Sequence, residues 1–142
     1  GANTLAQHTW EFWEQNAQNG MSVQPDTGAS TKNTAEAPHL QYCLEIPTTD
    51  SYYVWIHSQS PNSTSDSIWL GMDGVIADFG KRGVGLYDTN GSRQWFSVGD
   101  NGEKLVFLLE KGQHCLDIWM REDGVVLNEV ILTANPNWIA GG

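Results

Sequence analysis

KLVFLLEKGQHCLDIWMREDGVVLNEVILT, residues 104–133, contains three apolar runs separated by Lys111-Gly112 and Asp123-Gly124. Apolar side chains recur at every second position, first Leu105, Phe107 and Leu109, then Leu116, Ile118 and Met120, before VVLNEVILT closes the stretch. That period marks half-buried strands, because successive side chains of a strand point to opposite faces. Each intervening glycine tolerates the positive φ that a tight turn demands. Arg121 to Gly124 therefore read as the tip of a hairpin joining the last two long strands. Whether that loop holds two residues or three decides which face each side chain from Val125 to Leu132 takes, and the spacing leaves the register open.

The same alternation extends upstream. QYCLEI puts Tyr42, Leu44 and Ile46 on one face, YYVWIH does so for Tyr52, Val54 and Ile56, and SIWLGMD for Ile68, Leu70 and Met72. Turn signals at Asp73-Gly74, Asn90-Gly91 and Asn101-Gly102 separate further strands. Helical spacing is nowhere sustained. Many short strands of this kind predict an all-β fold, a two-sheet antiparallel β-sandwich of the jelly-roll type. Gln18 to Pro38, rich in Asn, Thr, Ser, Gly and Ala, reads as a long loop or irregular crossover. No internal repeat or linker divides the chain, and its 142 residues fit one domain spanning 1–142.

Composition narrows the partners. Seven basic against seventeen acidic side chains give a net charge of −10, which repels phosphate backbones and anionic lipid and speaks against nucleic acid and membrane surfaces. A densely sulfated or carboxylated polymer would need a local basic patch or a bridging cation, so neutral partners are favoured. No apolar run approaches the roughly 20 residues of a membrane-spanning helix. Gly1-Ala2-Asn3 shows neither initiator Met nor signal peptide, as expected of a mature or excised fragment. The seven tryptophans (Trp10, Trp13, Trp55, Trp69, Trp95, Trp119 and Trp138) exceed what core filling alone calls for, since indole is large and wants a partner for its N–H. Some are expected to be exposed for use. Cys43 and Cys115 lack the spacing of a zinc site. They either pair, closing a loop worth about 4 kcal/mol in the chain-entropy model, or stand as two buried free thiols.

A carboxylate pair that cleaves glycosides must sit about 5–9.5 Å apart facing a sugar. Glu122 and Asp123, adjacent on a turn expected to be solvated, diverge, and nothing there sets one pKa above the other; no catalytic residue is assigned. Arg121 carries a planar guanidinium suited to a carboxylate or to vicinal hydroxyls, and is expected to brace Asp66 or to grip a ligand. The sequence lacks GxSxG, HExxH and a P-loop, and GKRGVG fails the GxGxxG spacing. His8, His39, His57 and His114 are scattered along the chain.

YYVWIH, SDSIWLGMDG, RQWFSV, KGQHCLDIWMREDGVVLNEVILT and ANPNW follow one another in an order that resembles the galactose-binding-like carbohydrate-binding modules, especially the group similar to the C-terminal domain of family 115 glycoside hydrolases and to families 6, 35 and 36. The resemblance is most specific at Arg121-Glu122-Asp123-Gly124. His57 stands where the first of these strands usually ends in Arg, and Asn128 where an Asp is common. The resemblance implies a non-catalytic module that binds a polysaccharide or oligosaccharide and targets an attached, secreted glycoside hydrolase or lyase to it, the chain being extracellular and monomeric.

By the same resemblance, sugars are met at one end of the sandwich by Trp95 with Arg121, Glu122 and Asp123, and Asp66, Ser67, Asn90, Arg93 and Trp138 complete the expected site. Some such modules use a sheet face instead, and for that site Trp55, Trp69 and Trp119 are the candidates. A pyranose stacks its C–H face on indole while its hydroxyls seek Arg, Asn and Asp, which is the mix these residues offer. Neutral or lightly charged glycans are expected, with agar or porphyran galactans and plant xylan as candidates. No cofactor is required, although the resemblance leaves room for a structural calcium on Glu11, Glu14 and Asn128, three of the roughly six to eight ligands that the ion takes. Two other readings stay open: an accessory domain that itself degrades glycan, and a protein-binding or adhesive sandwich using the same tryptophans as hot spots.

Overall fold

The computed structural model describes residues 9–15, 18–24, 30–31, 37–60, 62, 66–86 and 92–140, with the side chains of 13–15, 18, 19 and 23 excepted. Among them there are eleven strands and no helix. Six strands form one antiparallel sheet: β1 (Thr9–Gln15), β2 (Gln18–Gln24), β11 (Val126–Thr133), β4 (Asp50–Gln59) and β8 (Gln94–Phe96) in that order, with β9 (Val106–Leu109) also pairing β4. The other sheet runs β3 (His39–Ile46), β10 (Gly112–Met120), β5 (Ser67–Met72) and β6 (Val75–Ile76), and β7 (Val84–Gly85) joins β5. The chain is the all-β, two-sheet sandwich that the alternation predicts.

Period two builds the core directly. Tyr52, Val54 and Ile56 on β4 meet Ile68, Leu70 and Met72 on β5 and Leu116 and Ile118 on β10, all buried in one cluster with Leu105 and Leu109. The alternating residues of β4, Tyr53, Trp55 and His57, consequently face outward. Tyr42 shares the inner face with Leu44 and Ile46, as the alternation predicts, and pairs with the buried Leu116, but it is only partly covered. At the edge of the five-stranded sheet it remains 37% exposed, while its same-face neighbours Leu40 and Leu44 pack against the core.

The last two long strands are not a hairpin. β10 and β11 lie in opposite sheets, so Arg121 to Val125 carry the chain across the roughly 10 Å between stacked sheets. Gly124, at φ 81°, provides the sharp turn that its sequence signals, but turn chemistry does not say which sheet the next strand will join. Of the Asx-Gly turn signals among the described residues, Asp73-Gly74 and the Asn101-Gly102 region make local reversals, the first linking β5 to β6 with φ of 53° and 81°; Asn90-Gly91 lies outside the described residues. The register of β11 is set by a bulge at Asn128, where pairing to β4 passes from Leu127 to Glu129. Leu127 is in the core and Val130 and Leu132 pack on it, whereas Glu129, Ile131 and Thr133 pair with His57, Trp55 and Tyr53 on the outer face. One extra residue shifts the phase within the strand, so no single period fits it.

Two further points complete the frame. Part of the expected loop Gln18–Pro38 is strand β2, which bridges β1 and β11. Cys43 and Cys115 are paired, directly opposite one another on β3 and β10, and tie the edge strand to its neighbour across a separation of 72 residues.

Candidate functional site

The charged turn is built into the molecule. Asp123 is fully buried and the Glu122 side chain is only 14% exposed, contrary to the solvated tip expected from sequence. Residues 30 and 31 cover the turn: Ser30 bridges Glu122, and the Thr31 amide donates to the Arg121 carbonyl at 2.7 Å. The Arg121 guanidinium lies 5.5 Å over the Trp69 ring and donates to Ser67 Oγ at 2.6 Å, while Ser67 donates to Glu122. Its ion pair is with Glu122 at 3.6 Å rather than with Asp66. Asp66 joins the group through its amide, 3.3 Å from Glu122 Oε1, and through a hydrogen bond between the two carboxyl groups. Burial, that hydrogen bond and the negative charge of Glu122 push the Asp66 pKa up to about 7, against the opposing pull of Arg121 and Arg82. Asp66, Ser67, Arg121 and Glu122 thus come together as a brace among three segments of the chain.

Trp95 belongs to a different cluster. On β8 it pairs with His57 of β4, and the two rings stack at 4.3 Å and 5°. Trp138, in the tail after β11, meets Trp55 edge-on at 5.5 Å and Trp95 at 6.2 Å. His57 Nδ1 lies 3.1 Å from Glu129 Oε1, which helps fix the imidazole beneath the indole. Trp55, Trp95 and Trp138 are each half-buried. A shallow groove opens beside them, lined by Tyr53, Trp55, Ser97, Lys104 and Pro136. Lys104 Nζ sits 5.6 Å over the Tyr53 ring. The groove is too shallow to enclose a small molecule, so it suits one side of an extended chain.

The three candidate sheet-face tryptophans therefore divide. Trp55 is outward on the six-stranded sheet, but Trp69 and Trp119, paired across β5 and β10, are 9% and 7% exposed in a second small core with Ala37 and Met120. Trp69 donates its N–H to the Thr31 carbonyl at 2.9 Å, and His39 stacks on Trp119 at 4.9 Å. Beside them the buried Asp117 accepts from Gln41 and the Gly74 amide and lies 2.7 Å from His39 Nε2. Arg93 is exposed just before β8, and Asn90 lies outside the described residues. Tyr53 and His57 were legible in the same alternation that singles out Trp55; Ser97, Lys104 and Pro136 carry no local signal, because they reach the groove only through tertiary folding.

The nominated calcium ligands lie on β1 and β11 of the same six-stranded sheet, and the set reaches beyond the described side chains. Glu11 is exposed and accepts the Thr9 hydroxyl at 3.3 Å, Asn128 sits at the β11 bulge, and the Glu14 side chain lies outside the described set. No group of three or more His, Cys, Asp or Glu converges within it, and no step is assigned to a cation.

Residues 6–136 match the family described as Glycosyl hydrolase family 115 C-terminal domain. The chain is also similar to a protein of Formosa agariphila, Uncharacterized protein P23, at 24% identity over 110 residues, 70% of this chain and 26% of that protein. The chain thus spans about a quarter of the curated relative that it matches.

Proposed function

This chain belongs to the Glycosyl hydrolase family 115 C-terminal domain family, and from that membership we propose that it is a non-catalytic carbohydrate-binding module that holds a polysaccharide on the outer face of its six-stranded sheet. A domain of this family is an accessory part of a glycoside hydrolase. The observation that carries the sheet-face reading is the cluster of Trp55, Trp95 and Trp138, three indoles on one surface, each partly open to solvent. Pyranose rings stack on indole faces, and Ser97, the Tyr53 hydroxyl and Lys104 supply polar groups beside the stack. Trp95 and Trp138 keep the sugar-contacting role expected of them, now with Trp55, while Arg121 and Glu122 hold the sandwich end together.

Binding of this kind raises the local concentration of an attached hydrolase at its substrate without any chemistry in the module. Such an enzyme meets its polymer outside the cell, and the Cys43–Cys115 bridge accords with an oxidising compartment. A protein-docking role for the same face is favoured by Val106 and Leu108, which are 40% and 78% exposed on neighbouring β9. Affinity electrophoresis against a panel of neutral and acidic polysaccharides separates the two. Retardation of the wild type that is lost in Trp55→Ala, with the fold intact, supports glycan binding; no retardation by any polymer sinks it.

A further inference from the structure

We propose that the groove beside Trp55 selects a glycan carrying a sparse anionic substituent, a carboxylate or a sulfate ester, with Lys104 as its counter-charge; this rests on the glycan-binding reading above. Lys104 is set by the local fold. Leu105 is fully buried, its amide donates to the Ser97 carbonyl and its own carbonyl accepts from Val54, so the residues on either side of it face outward. The Lys104 ammonium then projects over Tyr53 at the groove wall, where it takes part in no ion pair with a carboxylate among the described residues. In a chain with net charge −10, a cation held on an aromatic wall with no carboxylate partner among the described residues marks a place for an anion to come from outside. A single lysine balances a single charge. The chain's acidity repels a densely charged polymer, and Glu129 on the same face beside His57 adds to that repulsion. The combination fits one charged sugar in the groove with neutral sugars stacked on Trp55 and Trp138.

Two matched pairs of polymers test this: a xylan bearing uronic acids against its carboxyl-reduced form, and a lightly sulfated galactan against its desulfated form. Isothermal titration at about 0.15 M salt, where the screening length is roughly 8 Å, is run on the wild type, Lys104→Ala and Lys104→Arg. The wild type is expected to prefer one charged polymer over its neutral partner by about three- to tenfold. Lys104→Ala should erase that preference and Lys104→Arg keep it, and the pair that responds tells carboxylate from sulfate. Equal affinity for charged and neutral forms, or a preference that survives Lys104→Ala, overturns the proposal while glycan binding stands. Binding to none of the four polymers overturns both.

Discussion

Arg121 is a brace whose removal leaves the Ser67 hydroxyl without its donor and the Glu122 carboxylate without its cation in a mostly buried setting and uncovers one face of Trp69. Arg121→Ala should therefore lower stability by about 1–3 kcal/mol in chemical denaturation and leave glycan affinity of the folded protein within about twofold. Asp66 carries the opposite lesson. Its pKa of about 7 against an ordinary 3.8 means that the folded state holds a proton the unfolded chain has released, so stability falls as pH rises from about 4 to about 7. Asp66→Asn removes that loss. Its melting temperature relative to wild type should climb between pH 5 and pH 8, and a constant difference would contradict the carboxyl pair. Sequence located all four members of this cluster but not their burial, because burial comes from residues 30 and 31, whose covering position has no local signature. His57 departs from the Arg that the resemblance leads one to expect, yet it follows Tyr53 and Trp55 as the third outward residue of β4.

At the scale of elements, the outermost strand β3 depends on its links to β10. Loss of the disulfide in Cys43→Ser/Cys115→Ser should cost about 4 kcal/mol in the chain-entropy model, visible as a melting point lower by roughly 10 °C and as faster amide exchange in β3. The β5–β6 turn is tied to β10 by Asp73, which accepts the Cys115 amide at 2.8 Å and lies 2.6 Å from His114 Nδ1. The Asp73 carboxylate raises the His114 pKa, and hydrogen bonding to His114 holds Asp73 below its usual value. The His114 contribution is complete below its ordinary 6.5 and disappears as pH rises through the raised value; the Asp73 contribution is complete above 3.8 and disappears as pH falls through the lowered one. His114→Gln should accordingly destabilise the fold more at pH 5.5 than at pH 9 in thermal melts. Strand positions were readable because alternation is a local property. The connection after β10 was not, since Asp123-Gly124 specifies a turn and leaves the partner of β11 to the packing of Leu127 and Val125 between the sheets.

At the scale of the whole molecule the two outer faces differ. The outer face of the five-stranded sheet is closed around Trp69 and Trp119, whereas that of the six-stranded sheet leaves Trp55, Trp95 and Trp138 partly open. The class of fold was legible throughout, and the tryptophan count predicted that some indoles stay open to solvent; which ones do depends on what covers each sheet. The most direct measurement is isothermal titration of a retained polysaccharide against the wild type, Trp55→Ala, Trp138→Ala and Arg121→Ala, with circular dichroism on each. Affinity is expected to drop about tenfold or more in both tryptophan variants, in line with the more than roughly 1 kcal/mol lost when a central aromatic contact is truncated, and to hold in Arg121→Ala. Unchanged affinity in the tryptophan variants together with its loss in a folded Arg121→Ala would move the site to the end of the sandwich and contradict binding on the sheet face.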